Sequence, residues 1–316
     1  GNFDDDMPKI ADADWIIEVV VERLDIKQQV FEKVEKYRKA GTLITSNTSG
    51  IPIHMMTEGR SEDFNKNFVG LHFFNPPRYL RLLEVIPTPH TDPAITDFMM
   101  HYGDLFLGKR TVLCKDTPAF IANRVGVAAL LRVLELVKEL GLTPEETDKL
   151  TGPVTGKPNT GTFRLADLIG SDTTLKVKQG LAQNLPNDEL HSMFANEGIL
   201  EAICEKGWYG DKTNQGFYKK TNERDATGRP VILTLDLDTL EYRAASKVKL
   251  ASLEAVKQVD DLNERMKMLY GFQDKGGELV RKSAQSLFAY VSNRIPEIAD
   301  DLYKIDDALK AGFAWK

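Results

Sequence analysis

Cysteine is scarce in this sequence. Among its 316 residues only Cys114 and Cys204 are cysteines, and they form no C-x-x-C motif. Two isolated cysteines exclude the disulfide framework that stabilises many secreted domains, and they suit a reducing compartment. We therefore expect both to be packing residues of a cytoplasmic protein.

Long apolar runs and blocks of basic residues are also missing. The apolar runs reach only about six residues, whereas a membrane-spanning helix needs about 20. The net charge is −6 and no Lys/Arg block occurs, a pattern that disfavours a nucleic-acid partner. The 42% of hydrophobic residues is ordinary for a globular protein, and the length leaves room for two domains.

The first third of the chain alternates between short β-rich runs and amphipathic stretches. Strands are predicted at residues 14–21, 42–45 and 111–113, and helices at residues 24–37 and 93–107. Because parallel neighbours need a crossover connection, the β-α-β order predicts a parallel sheet covered by helices.

Two further predicted strands contain an ionisable residue in an otherwise apolar run. Residues 70–74 hold His72 and residues 81–86 hold Glu84, and the Pro76-Pro77 pair forces a turn between them. A carboxylate beside an imidazole orients one ring nitrogen and stabilises the protonated ring, an arrangement that makes a general base near neutral pH. Taken singly, a core histidine and a surface charge at a strand end are the plainer interpretations.

The rest of the chain is predicted to be mostly helical. A long helix is predicted at residues 120–140, and residues 221–282 form a connecting segment with a short hairpin at 234–242. The motif FIANR at residues 120–124 has an echo, YVSNR, at residues 290–294, and a helical stretch is expected after each copy. The echo predicts a duplicated helical domain whose second copy is cut short.

Six segments occur in the order known from one enzyme family. They are IIEVVVERLDIKQQVF, ITSNTSG, GLHFFNPPRYLRLLEV, CKDTPAFIANR, FRLADLIGSDT and GDKTNQGFYK. Together they resemble the L-3-hydroxyacyl-CoA dehydrogenases, the NAD-dependent enzymes of fatty-acid β-oxidation. The similarity covers about residues 13–220, and the echo near residue 290 resembles the second helical domain of long, multifunctional bacterial members.

The resemblance implies a fold and its parts. The fold is α/β plus all-α: the trailing half of a doubly wound Rossmann-type parallel sheet, a helical C-terminal domain and the start of a second helical repeat. The implied parts are a partial dinucleotide-binding (Rossmann) domain at 1–112, the helical domain at 113–220, the connecting segment at 221–282 and the truncated repeat at 283–316. NAD is the implied cofactor and acyl-CoA the implied substrate, with a fused or associated enoyl-CoA hydratase and a homo-oligomer as further expectations.

Catalytic roles are implied residue by residue. His72 falls on the family's catalytic base, which takes the proton of the substrate's 3-hydroxyl group, and Glu84 falls on the carboxylate that orients it. Ser49 and Asn123 fall on the polar residues that hydrogen-bond the reacting oxygen and steady the substrate. Asn75 lies on the loop after His72 and is expected to support it as a substrate-binding residue.

Cofactor contacts are implied in the same way. Val19, Glu22, Lys27, Asn47 and Ser49 match positions that line the ribose and nicotinamide end of NAD. Ordinary alternatives remain for these residues. The side chains of Asn47 and Ser49 could merely form hydrogen bonds with the backbone of a turn, and Glu22 and Lys27 could be ordinary solvated side chains of a helix.

The sequence departs from the family in two places. It contains no Gly-x-Gly-x-x-Gly turn, the element that receives a dinucleotide pyrophosphate at a helix N-terminus. We therefore expect the chain to begin after the first half of the dinucleotide fold. The family's Pro-Met-Gly-Pro-Phe-Glu turn reads PNTGTFR at residues 158–164. At this turn, helix packing or the lining of the substrate channel is therefore expected to differ from the family pattern.

Two other functions remain open on the residues alone. A dehydrogenase of another 3-hydroxy acid or acyl carrier would use the same His–Glu chemistry, which does not choose the acyl group. A non-catalytic relative kept as an oligomerising or binding module would share the fold.

Overall fold

The chain divides into two compact units in the computed structural model, which describes residue 2 and residues 5–316. The sheet unit comprises the residues up to Arg124 together with Val291–Phe313. The helical unit comprises Val125–Tyr290 together with Ala314–Lys316. The four parts expected from the sequence remain a proposal about domain boundaries.

Helices and strands cover most of the described chain. The strands are β1 Trp15–Glu18, β2 Leu43–Ser46, β3 Phe68–Phe73, β4 Leu82–Pro87, β5 Arg110–Leu113, β6 Tyr218–Arg224, β7 Pro230–Leu235 and β8 Tyr242–Ala244. The α-helices are α1 Leu24–Tyr37, α2 Glu62–Lys66, α3 Pro93–Leu105, α4 Ala122–Leu140, α5 Pro144–Leu150, α6 Phe163–Ile169, α7 Ser171–Asn184, α8 His191–Ala195, α9 Ile199–Glu205, α10 Ala251–Val256, α11 Leu262–Gly271, α12 Lys275–Asn293 and α13 Leu302–Phe313. Short 3-10 helices lie at Met7–Asp12, Ile53–Met56 and Pro153–Thr155.

The sheet unit is built on a five-stranded sheet in the order β1-β2-β3-β4-β5. The β1–β2, β2–β3 and β4–β5 pairs are parallel, which confirms the predicted α/β class. The β3–β4 pair is antiparallel, so the sheet is not parallel throughout as the sequence predicted. The reason is the connection at residues 74–81, which is too short for the crossover that parallel neighbours require.

Side-chain alternation along β3 and β4 separates an apolar face from a face with ionisable groups. Successive side chains of a strand point to opposite faces of the sheet, so His72 and Glu84 share one face. A buried cluster that includes a residue of α3 forms around the other face. Its members are Leu43, Val69, Leu71, Leu83, Val85 and Met99. His72 and Glu84 thus lie on the same face of a largely buried sheet.

The helical unit contains, besides its helices, a small antiparallel sheet in the order β6-β7-β8. The predicted hairpin is present as β7 and β8, with Leu233 opposite Ala244 and Leu235 opposite Tyr242. Strand β6 was not predicted, because its sequence YKKTNER shows no alternation of apolar and polar residues. The predominance of helices up to about residue 210 is as expected.

The two copies of the sequence echo, residues 120–124 and 290–294, do not occupy equivalent places, although a helix follows each of them: α4 begins within the first copy and α13 follows the second. Asn123 lies in the first turn of α4, whereas Asn293 is the last residue of α12. What recurs is a pair of helices: the 19-residue α4 is followed by α5, and the 19-residue α12 by α13. The five-residue echo therefore does not mark the start of this recurrence.

An ion pair between a buried arginine and a partly exposed glutamate joins the start of α4 to the segment before α13 within the sheet unit. The Arg124 side chain is fully buried, and its Nη1 lies 2.5 Å from Oε1 of Glu297, whose other oxygen lies 3.0 Å from Arg294. We expect Glu297→Ala to lower the free energy of unfolding by about 3 kcal/mol, because it removes the carboxylate from a buried cation. Urea denaturation should show this. The exposed Glu254→Ala is the control and should cost less than about 1 kcal/mol, and an equal cost would contradict the prediction.

Candidate active site

Polar side chains gather at the edge of the sheet where β1, β2 and β3 end. Because these three strands run parallel, the residues that follow each of them meet at one edge, the usual ligand-binding edge of such sheets. Strand β4 enters from the opposite direction and places Glu84 directly beside His72 in the register of the pair. His72 and Glu84 therefore come from neighbouring strands, whereas Ser49 follows β2 and Asn123 lies in α4.

The predicted contact between His72 and Glu84 is present. His72 Nδ1 lies 2.6 Å from Glu84 Oε2, and the two side chains are 4% and 0% exposed. Residues directly opposite each other in an antiparallel pair have neighbouring side chains. With Nδ1 facing the carboxylate, Nε2 is the ring nitrogen left to meet a substrate, and it has no hydrogen-bond partner within the described residues.

The second oxygen of Glu84 is held by the start of α4. Oε1 accepts hydrogen bonds from the backbone N–H groups of Ile121, at 3.1 Å, and Ala122, at 2.8 Å. Ala119 and Phe120 precede them with φ values of 60° and 53°, left-handed conformations that non-glycine residues rarely adopt. The turn aims two N–H donors at the carboxylate, and a helix N-terminus favours a negative charge there. Sequence reasoning missed this support, since no glycine signals the left-handed turn.

Aromatic rings enclose the imidazole. The rings of Phe74 and Phe120 lie 4.6 Å and 5.6 Å from the His72 ring, centroid to centroid, and both phenylalanines are buried. Excluding water strengthens each electrostatic interaction of the pair. Cys114 is also buried, and burial together with the nearby negative charge of Glu84 raises the pKa of its thiol well above the usual range. The thiol is therefore neutral and matches the packing role predicted for it.

The loop after β2 is tied to the dyad strand and to α4. The Asn47 side chain accepts a hydrogen bond from the backbone N–H of Phe73, at 2.9 Å, next to His72. Asn123 Nδ2 donates to the backbone carbonyl of Ser49, at 3.3 Å. Asn75, by contrast, is exposed, and no side-chain hydrogen bond of this residue is described. Hydrogen bonds thus tie Asn47 to the strand of His72 and Asn123 to Ser49, whereas Asn75 stays apart.

The charged residues predicted to line the cofactor are engaged with the protein itself. Glu22 Oε1 accepts hydrogen bonds from Thr48 Oγ1, Ser49 N and Gly50 N at 2.6 to 3.0 Å. Lys27 is buried, and its Nζ lies 2.9 Å from Oε1 of Glu18. Sequence reasoning overlooked Glu18, although an acidic residue at the end of an apolar strand is itself a signal.

Val19 stands at the open end of β1. It is 69% exposed, an unusual value for a valine that directly follows a buried glutamate in a sheet. An exposed apolar side chain at the ligand-binding edge fits contact with a flat, partly apolar ligand group. The cofactor roles of Val19, Glu22, Lys27, Asn47 and Ser49 stay predictions.

An α/β sheet with a histidine–carboxylate pair, followed by helices, defines a class of dinucleotide-dependent dehydrogenases. Residues 1–117 match the family model "3-hydroxyacyl-CoA dehydrogenase, NAD binding domain", and residues 120–220 match "3-hydroxyacyl-CoA dehydrogenase, C-terminal domain". The chain belongs to the 3-hydroxyacyl-CoA dehydrogenase family. The prediction of NAD as cofactor is confirmed at the level of this family.

Two relatives match the chain over its whole length. A Bacillus subtilis protein named as a probable 3-hydroxyacyl-CoA dehydrogenase is 43% identical over 100% of this chain and 39% of its own length. A Rickettsia felis protein named as a fatty acid oxidation complex trifunctional enzyme is 33% identical over 100% of this chain and 42% of its own. This chain therefore spans about two fifths of the length of these relatives.

A solved structure supports the fold. The crystal structure of 3-hydroxybutyryl-CoA dehydrogenase from Escherichia coli K12 aligns with a TM-score of 0.70 and 20% identity, over 98% of this chain and 73% of that one. At this identity the likeness concerns the fold alone. No helix among the described residues is both long enough and apolar enough to cross a membrane.

Proposed function

We propose that these residues serve the NAD-dependent oxidation of L-3-hydroxyacyl-CoA to 3-ketoacyl-CoA in fatty-acid β-oxidation. The observation that carries the proposal is the His72–Glu84 contact of 2.6 Å, buried and supported on its far side by two backbone N–H groups. A buried, oriented imidazole with one free nitrogen is what proton removal from a hydroxyl group requires.

In this proposal His72 acts as the general base. Its Nε2 takes the proton of the 3-hydroxyl group, and Glu84 stabilises the imidazolium that forms while it keeps Nδ1 protonated. The amides of Ile121 and Ala122 hold the Glu84 carboxylate in place, so that it does not have to turn during the reaction.

Ser49 and Asn123 orient the substrate in this proposal. Each carries a polar side chain at the loop that borders the dyad, and the hydrogen bond from Asn123 to the Ser49 carbonyl keeps them together. Their role is to hydrogen-bond the reacting oxygen, so that the hydroxyl proton faces Nε2 of His72. Asn75, exposed on the loop after β3, is proposed to contact the substrate from outside the dyad.

The residues at the ends of β1 and β2 fit the nicotinamide side of NAD. Glu22 Oε1 already accepts hydrogen bonds from three donors of the turn, while the Glu22 side chain is 44% exposed, and Val19 adds an exposed apolar surface at the end of β1. NAD, when bound, takes the hydride from C3 of the substrate. Glu22, Asn47 and Ser49 would hold the ribose, and Lys27 would keep Glu22 in place.

The wider setting is proposed on the same basis. The trifunctional name of the Rickettsia felis relative supports an enoyl-CoA hydratase fused to or associated with this dehydrogenase. The free cysteines Cys114 and Cys204 suit a reducing compartment, here proposed as the cytoplasm. A homo-oligomeric assembly is part of the proposal and would be measured by light scattering.

Glu84→Gln tests the role of the carboxylate. In the longest natural polypeptide that carries these residues, we expect kcat for 3-hydroxyacyl-CoA oxidation to fall about 10²-fold or more, because the orienting charge is lost. The exposed Glu62→Gln is the control. A kcat within about threefold of the wild-type value would mean that Glu84 is only a structural charge.

A further inference from the structure

Lys27 lies at the centre of a buried charge cluster, defined here as Glu18, Glu22, Lys27 and Ser46. Lys27 is 1% exposed, and its Nζ lies 2.9 Å and 3.0 Å from the two oxygens of Glu18 and 3.4 Å from Oε2 of Glu22. Glu18 also accepts hydrogen bonds from Ser46 Oγ and from the backbone N–H of Val20, both at 2.5 Å. Glu18 is thereby satisfied on both oxygens.

This buried charge cluster extends to the turn that carries Ser49. Glu22 uses one oxygen for Lys27 and the other for Thr48 Oγ1 and the backbone N–H groups of Ser49 and Gly50. The backbone carbonyl of Ser49 in turn accepts the hydrogen bond from Asn123. A continuous chain of contacts therefore runs from Glu18 to both residues proposed to orient the substrate.

We propose that Glu18 is a positioning residue for the reaction. It fixes Lys27, Lys27 fixes Glu22, and Glu22 holds the turn of residues 48–50 in the shape that presents Ser49. The consequence for catalysis rests on the proposed function, whereas the consequence for the turn does not. A buried ion pair such as Lys27–Glu18 is costly to desolvate. Packing alone does not require such a pair here, whereas holding the turn of residues 48–50 does.

Glu18→Gln keeps the shape of the side chain and removes its charge. Without that charge Lys27 is no longer fixed by Glu18, so that it no longer fixes Glu22 against the turn. We expect the amides of Ser49 and Gly50 to exchange hydrogen about tenfold faster, because a local opening is easier. In the longest natural polypeptide that carries these residues, assayed with acetoacetyl-CoA and NADH, kcat should fall about tenfold while the KM for acetoacetyl-CoA changes little, since misplacing a positioned group lowers the rate of the chemical step.

Two further variants separate positioning from stability. Asp63→Asn removes a carboxylate from Arg38, another buried cation of the sheet unit, and should lower the thermal midpoint without changing exchange at residues 49–50 or kcat. The double variant Glu18→Gln/Lys27→Met leaves no unpaired buried cation, so its thermal midpoint should recover. Its exchange and kcat should not recover, because no cation remains to hold Glu22.

The outcomes are decisive for each proposal separately. Unchanged exchange at residues 49–50 in Glu18→Gln, or recovery of exchange and kcat together with the thermal midpoint in the double variant, would overturn the positioning role. If Glu18→Gln does not fold, the double variant gives the same test. Absence of turnover in the wild-type form of the longest natural polypeptide would defeat the proposed function, while the exchange measurements would still decide the role of Glu18.

Discussion

Replacing His72 with glutamine is expected to lower kcat for oxidation of 3-hydroxyacyl-CoA by about 10²- to 10⁴-fold, the usual loss when a general base is removed. The affinity for NAD should stay nearly unchanged, because the side chain lies between Glu84, Phe74 and Phe120 and not at the ends of β1 and β2. Steady-state rates and titration of NADH fluorescence would measure the two quantities separately, in the longest natural polypeptide that carries these residues.

His101→Gln is the matched control for this variant. His101 is an exposed histidine of α3, in the same unit as His72, and nothing in the structure connects it to the dyad. Its replacement should leave kcat within about twofold of the wild-type value, as surface substitutions generally do. If His72→Gln also stayed within about threefold, its assignment as the base would have to be abandoned.

The sheet unit shows which features could be predicted from local sequence patterns. Helix α1 occupies the predicted residues Leu24–Tyr37, because an apolar stripe flanked by charges has the helical period. The strands of the sheet lie within a few residues of their predicted positions, because β-branched residues bounded by turn residues specify short strands. The direction of the strands was harder to predict from these patterns. β3 and β4 run antiparallel because the connection between them, residues 74–81, is too short for a crossover.

The dyad could be predicted because two local features agree. The proline turn makes the strands of His72 and Glu84 neighbours, and in an antiparallel pair the register then decides whether the side chains meet. Here they lie directly opposite each other. A shift of the register by one residue would have turned the two side chains to opposite faces. The contact between His72 and Glu84 thus depends on the register of β3 and β4. The sequence pattern suggested this register, and the structure established it.

The partners of the dyad could not be predicted in the same way. The N–H groups that hold Glu84 belong to Ile121 and Ala122, which follow it by 37 and 38 positions in the chain. Every residue except proline has such a backbone donor, so the sequence does not show which of them will bind a carboxylate. Ala119 and Phe120 adopt left-handed conformations at which sequence reasoning expects glycine. Glu18 was overlooked because its partner Lys27 had been assigned to the cofactor. Long-range electrostatics, unlike periodicity, is decided by the folded structure.

The 316-residue chain produced alone is expected to bind NAD only in the millimolar range or more weakly, which corresponds to at most about 4 kcal/mol of binding free energy. A dinucleotide is held to a large extent through its pyrophosphate, by backbone N–H groups at a glycine-rich turn and a helix N-terminus. No Gly-x-Gly-x-x-Gly turn occurs in these residues, and the candidate contacts lie only at the ends of β1 and β2.

The chain alone should show no measurable turnover, although His72 and Glu84 are in contact. Calorimetry with NAD and an assay with acetoacetyl-CoA and NADH would measure both properties, with the longest natural polypeptide as the reference. Micromolar affinity of the isolated chain would show that the cofactor contacts lie elsewhere, and the roles given to Val19, Glu22 and Asn47 would then have to be reassigned.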